Sequence, residues 1–104
     1  MPSNNTLERI PERVDAGIKW LDGHEPGWRD KINLETLLLS SPCNCIWGQL
    51  LFDPTEVTTG YWRRPKFFQN KYNAVAFGFT CWPGDDVSEY MDALDREWKR
   101  RLSE

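Results

Sequence analysis

The chain has 104 residues, six of them tryptophan, with 39% hydrophobic and 13% aromatic content. A length of this order makes one domain, 1–104, that buries roughly two thirds of its unfolded surface without metals or disulfides. The 13 basic and 16 acidic residues give a net charge of −3, which excludes a whole-surface nucleic-acid binder and an acidic DNA mimic.

Behind Met1-Pro2-Ser3 there is no apolar run of the kind a secretory leader carries. No window approaches the ~20 apolar residues of a membrane span. Three cysteines, two of them separated by one residue, make a poor disulfide framework. The expected setting is the reducing cytoplasm.

Residues 1–9 read as a polar, flexible start. Pro11 suits the first turn of a helix, where its missing N–H costs nothing. Ile10, Val14, Ile18 and Leu21 then recur at helical spacing, which predicts a helix over 11–22 ending at Asp22-Gly23. Asp15 and Lys19 stand in the favourable acid-first order. Pro26 opens a short turn through Trp28 to Ile32. Asn33 can cap a turn over Leu34–Leu37, with a short strand over 33–39 as the alternative.

The densest apolar run is Leu37–Leu51. Ser41 is a strong helix cap and Pro42 fits the turn behind it, so the pattern predicts a central helix over 42–51. Its apolar face is Ile46, Trp47 and Leu50, with Cys43 shielded. Gly48 inside it costs ~1 kcal/mol against Ala and suggests a close neighbour. Asp53-Pro54 begins a brief turn to Thr58, and 57–62 is a candidate extended piece. A third helix is predicted over 66–77, stopped by Gly78. Asp86 and Glu89 have capping-box spacing ahead of a helix over 86–102. Val87, Tyr90, Met91, Leu94, Trp98 and Leu102 form its apolar stripe. Asp92–Arg96, Asp95–Lys99 and Glu97–Arg101 are acid-first pairs placed outside. The fold class is therefore mainly α, a small bundle of about four helices joined by short turns, with 57–62 as the one place for a β piece.

Several of these segments share a wording. They are Gly17-x-x-Trp20-Leu21-Asp22, Pro26-Gly27-Trp28, Ile32-x-Leu34-x-x-Leu37-x-Leu39-Ser40-Ser41-Pro42-Cys43-x-Cys45 and Gly48-Gln49-Leu50. They resemble a group of small proteins encoded by phages of actinobacteria, mycobacteriophages included. Ala76-Phe77-Gly78-Phe79 and the tryptophan-bearing last helix resemble the same group. The resemblance covers most of 14–102 and is weakest over 53–73. It implies a phage origin and a life in the host cytoplasm, and no particular activity. Small phage products of this kind lead one to expect binding to a host protein.

The residues themselves offer three chemistries. Cys43-Asn44-Cys45 at a helix start could hold a reactive thiol, since unpaired N–H groups there favour a thiolate. The competing explanation is packing, because cysteine is a small apolar residue. His24, Cys43, Cys45 and Cys81 have the number and softness of a zinc set, but one intervening residue is poor ligand spacing. No nucleophile elbow, HExxH, P-loop or dinucleotide turn is present, so no enzyme is expected.

The sharpest feature is the segment 61–72, with four basic residues, five aromatics and no acid. Tyr61, Trp62, Arg63, Arg64, Lys66 and Phe67 are the candidate partner-binding residues, because aromatics and arginine dominate protein interfaces. A plainer reading places Phe68 and Tyr72 in the core and the bases in solvent. Residues 84–97, with six acids and one base, are a second candidate face. The preferred function is a non-enzymatic protein that binds and modulates a host bacterial protein, without cofactor or membrane, as a monomer or weak homo-oligomer. A zinc- or thiol-dependent module is the second reading and nucleic-acid binding the third.

Overall fold

The computed structural model describes residues 6–41, 43–51, 55, 60–84 and 86–104, without the side chain of Tyr61. Four α-helices are described: α1, Ile10–His24; α2, Ile46–Leu50; α3, Lys71–Ala76; and α4, Val87–Leu102. Four 3₁₀ turns join them, at Leu7–Arg9, Trp28–Lys31, Gly60–Arg63 and Lys66–Gln69. The molecule is mainly α, and there is no strand among the described residues. Residues 60–62 are 3₁₀ helix rather than an extended piece. The rest of that expected β segment, 57–59, and the expected Asp53-Pro54 turn lie outside the described residues, Thr55 apart. So do residues 1–5, whereas Leu7–Arg9 of the expected flexible start lead directly into α1.

The two long helices form where the apolar spacing predicted them. Ile10, Val14, Gly17, Ile18 and Leu21 of α1 are buried, as are Tyr90, Met91, Leu94 and Trp98 of α4. The two helices pack together. Gly17 permits this contact: a Cβ there would fall on the carbonyl oxygen of Phe77 and lie 3.1 Å from the Trp98 ring. Arg101 of α4 reaches Asp15 of α1 at 2.9 Å, and Lys19 pairs with the same carboxylate.

The other two helices depart from expectation. Ser41 does cap a turn, for its Oγ accepts from Asn44 N and its carbonyl accepts from Cys45 N. That turn is not continued. Cys45 is extended, with ψ at 176°, and caps α2 itself, its Sγ accepting from Gly48 N at 3.2 Å. The central helix is thus Ile46–Leu50, shorter than expected. Ile46 and Trp47 are buried as predicted, but Leu50 is only partly buried. The expected helix over 66–77 is likewise split. Asn70 is extended and its side chain accepts from the N–H groups of Tyr72 and Asn73, so α3 starts afresh after the 3₁₀ turn.

Gly78 ends α3 as foreseen. Its φ is 76°. Gly78 N donates to Val75 O and Phe79 N to Ala74 O, the paired bonds of a Schellman stop. The buried side chains form one core in which Trp47, Phe68, Phe79 and Trp98 make successive ring contacts of 4.8–5.6 Å. Trp28 meets Trp98 edge-on at 6.3 Å.

Candidate functional site

The segment 61–72 folds onto this aromatic core from one side. Pro65 precedes the 3₁₀ turn Lys66–Gln69 and accepts Phe68 N through its carbonyl. This turn sends Phe68 inward, where it is 1% exposed, and leaves its neighbour Phe67 at the surface, 39% exposed. Phe67 leans on Phe68 at 5.0 Å and on Phe77 at 5.5 Å, so its ring is held in place while one side meets solvent. Trp62 stands out further, at 63%.

The basic residues divide by role. Lys66 and Arg63 are exposed, and Arg63 Nη1 also reaches Leu51 O at 3.4 Å. Arg64 is half-buried: its Nε donates to Phe68 O, and its own carbonyl accepts from Gln69 Nε2. Through these bonds it holds the turn. Tyr61 lies within the 3₁₀ turn Gly60–Arg63, its side chain outside the described residues. The plainer reading of the segment is half right, since Phe68 is core but Tyr72 is 74% exposed. Trp47, on the apolar face of the central helix, is 2% exposed and takes no part in this surface.

The acidic face of α4 is thinner than its sequence. Asp95 is buried at 7% and accepts Leu39 N at 2.7 Å, so it pins the 37–41 loop to α4 instead of pairing outside with Lys99. Burial raises its pKa, and the Leu39 N–H offsets part of that rise. Glu97 is bound to Arg100 at 2.7 Å rather than Arg101, which serves Asp15. Asp86 flanks α4 without a side-chain cap. Glu89 and Asp92 remain as exposed acids, and Asp85 lies outside the described residues.

The cysteine readings change as well. Cys43 is exposed, not shielded, because the chain around it is a surface turn rather than the first turn of a helix. Cys45 and Cys81 are buried, and burial pushes both thiols up, which keeps them protonated and poorly nucleophilic. Cys45 is a packing and capping residue. His24 stacks on Trp20, with ring centroids 4.0 Å apart, and its Nδ1 bonds to Trp20 O at 2.8 Å. Among the described residues no group of three or more His, Cys, Asp and Glu could hold a metal ion.

Three polar contacts that were not apparent in the sequence join separate parts of the chain. Gln49 binds two loops at once: its Oε1 accepts Asn33 N at 2.6 Å and its Nε2 donates to Asn44 O at 3.0 Å. Asp95 is the second. Arg13 is the third, with Nη1 donating to Tyr90 Oη at 2.6 Å across the two long helices. The only available hint was composition, since each is a polar residue beside an apolar stripe. Among the described residues no helix is long and apolar enough to cross a membrane. No protein-family model, curated protein or solved structure matches the chain.

Proposed function

We propose that this chain is a small phage-encoded interaction protein that works without catalysis, in the host cytoplasm, by binding a host bacterial protein through Trp62, Arg63, Lys66 and Phe67. The observation that carries the reading is the display of Trp62 and Phe67 at 63% and 39% exposure in a segment free of acids. Tryptophan and arginine are the side chains on which binding energy concentrates, since a large ring gains much from desolvation and guanidinium carries a directed charge. Phe67 is already seated against Phe68 and Phe77, so little rotamer freedom remains to be lost on binding. The resemblance to actinobacterial phage proteins supports the host as the source of the partner.

The test is affinity capture from host lysate with wild type and with Trp62→Ala, Phe67→Ala and Arg63→Ala variants. One dominant partner is expected, with each ring substitution weakening capture by about tenfold or more, equivalent to roughly 1.4 kcal/mol. Thermal midpoints of the Trp62 and Arg63 variants should stay near wild type, because both side chains are outside the core. Capture that survives all three substitutions places the interface elsewhere.

A further inference from the structure

One buried donor in the core lacks a protein acceptor among the described residues. It is Nε1 of Trp47, in a side chain that is 2% exposed. The other two buried tryptophans are provided for: Trp28 Nε1 donates to Asp22 Oδ1 at 2.9 Å and Trp98 Nε1 to Gly78 O at 2.7 Å. A buried N–H without an acceptor is costly, so native cores supply one from protein or from water. Trp47 borders a small cavity of about 10 Å³ that separates α2 from α3 and the segment after Gly78. Cys45, Arg64, Ala74, Phe79 and Thr80 are among its other walls.

We infer that this cavity is the binding site of one structural water, which accepts from Trp47 Nε1 and donates to the hydroxyl of Thr80. Size and chemistry select the occupant together. A volume of about 10 Å³ holds one water and nothing larger. An ammonium-type cation cannot accept a hydrogen bond, and an apolar atom would leave the indole N–H without one. Water accepts from the indole and has two protons of its own to give. A threonine hydroxyl can take one of them, since its oxygen carries two lone pairs. Arg64 cannot, because guanidinium only donates, and its Nε is already given to Phe68 O. Cys45 Sγ is a weak acceptor and is engaged by Gly48 N. The water thus ties α2 to the segment after Gly78 through two side chains that do not bond each other directly. The competing arrangement is an N–H contact with a ring face, for Trp20 meets Trp47 edge-on at 5.8 Å. The site uses none of Trp62, Arg63, Lys66 and Phe67 and stands whether or not the proposed interface does.

The test reads the indole N–H of Trp47 in ¹⁵N-labelled protein through water-selective NOE and ROE spectra. Trp47 should show a cross-peak to water with opposite signs in the two spectra, the mark of a water that stays longer than the protein takes to tumble. Trp98, whose N–H is held by Gly78 O, should show none and serves as the internal control. Thr80→Val keeps the size of the side chain and removes the hydroxyl, and should weaken the Trp47 cross-peak about threefold or more. Thr80→Ser retains the hydroxyl and should preserve the cross-peak. A crystal structure should place one water within about 3.2 Å of both Trp47 Nε1 and Thr80 Oγ1. A Trp47 N–H with no water cross-peak and a ring-shifted resonance makes Trp20 the acceptor and overturns the proposal. A cross-peak of full strength in Thr80→Val overturns it too, by placing the water elsewhere, as does a protein carbonyl found on Trp47 Nε1 in the crystal.

Discussion

Gly17 and Gly23 lie in the same helix, and a methyl group meets opposite surroundings at each. At Gly17 it falls on the backbone of Phe77 and the Trp98 ring, while at Gly23 nothing lies within 4 Å. Gly17→Ala should therefore force α1 away from its neighbours and cost about 1–3 kcal/mol or more. Gly23→Ala should gain up to about 1 kcal/mol from helix propensity. Urea unfolding of the pair checks both, and equal effects would refute the close approach. The cysteines give a second residue-scale test. Folded protein treated with an alkylating reagent should label at Cys43 alone, and Cys45 and Cys81 should react only on unfolding. Peptide mapping by mass spectrometry distinguishes them. Neither outcome was legible from the residue types. Cys43 and Cys45 look alike in sequence, and only the turn that Ser41 begins and Cys45 ends puts one outside and the other in.

At the scale of elements, periodicity revealed the long helices and failed on the short ones. In α1 and α4 several apolar residues repeat on one face, and that local regularity coincides with what the core requires. Segments 42–51 and 66–77 are richer still in apolar residues, but each contains a residue that restarts the backbone. Cys45 and Asn70 each use a side chain to cap a new helix, so one expected helix becomes a turn plus a shorter helix. The join between α4 and the 37–41 loop rests on Asp95. Asp95→Ala removes the acceptor of a buried N–H and should cost about 1–3 kcal/mol. Asp95→Asn keeps an acceptor and removes the charge. Burial raises the Asp95 pKa, so the folded protein holds that proton more tightly than the unfolded chain. Wild type therefore loses stability as pH rises above the ordinary carboxylate value and through the raised one. The stability of Asp95→Asn relative to wild type should grow with pH across that window and then level off. A constant difference from acid to neutral pH would show that Asp95 does not titrate differently on folding. Asp15 acts in the opposite direction. Its pKa is lowered by Arg101 and Lys19, so its contribution is present above the ordinary carboxylate value and is lost as pH falls.

For the whole molecule, the aromatic content separates into an interior and a display. Trp28, Trp47, Phe68, Phe79 and Trp98 fill one core, while Trp62, Phe67 and Tyr72 remain at the surface. The sequence alone determined the α class, the two long helices and the stop at Gly78. Those features depend on neighbours within a few residues, where spacing, caps and glycine act directly. Only the tertiary structure decided that Asp95 and Gln49 are internal fasteners, that Arg64 belongs to the fold, and that Tyr72 faces solvent beside Trp82. The reason is distance along the chain. Gln49 finds its partner at Asn33, 16 residues away, and Asp95 finds Leu39, 56 residues away. Burying the Asp95 carboxylate is offset by the N–H of so distant a residue, and local pattern carries no record of partners that far apart.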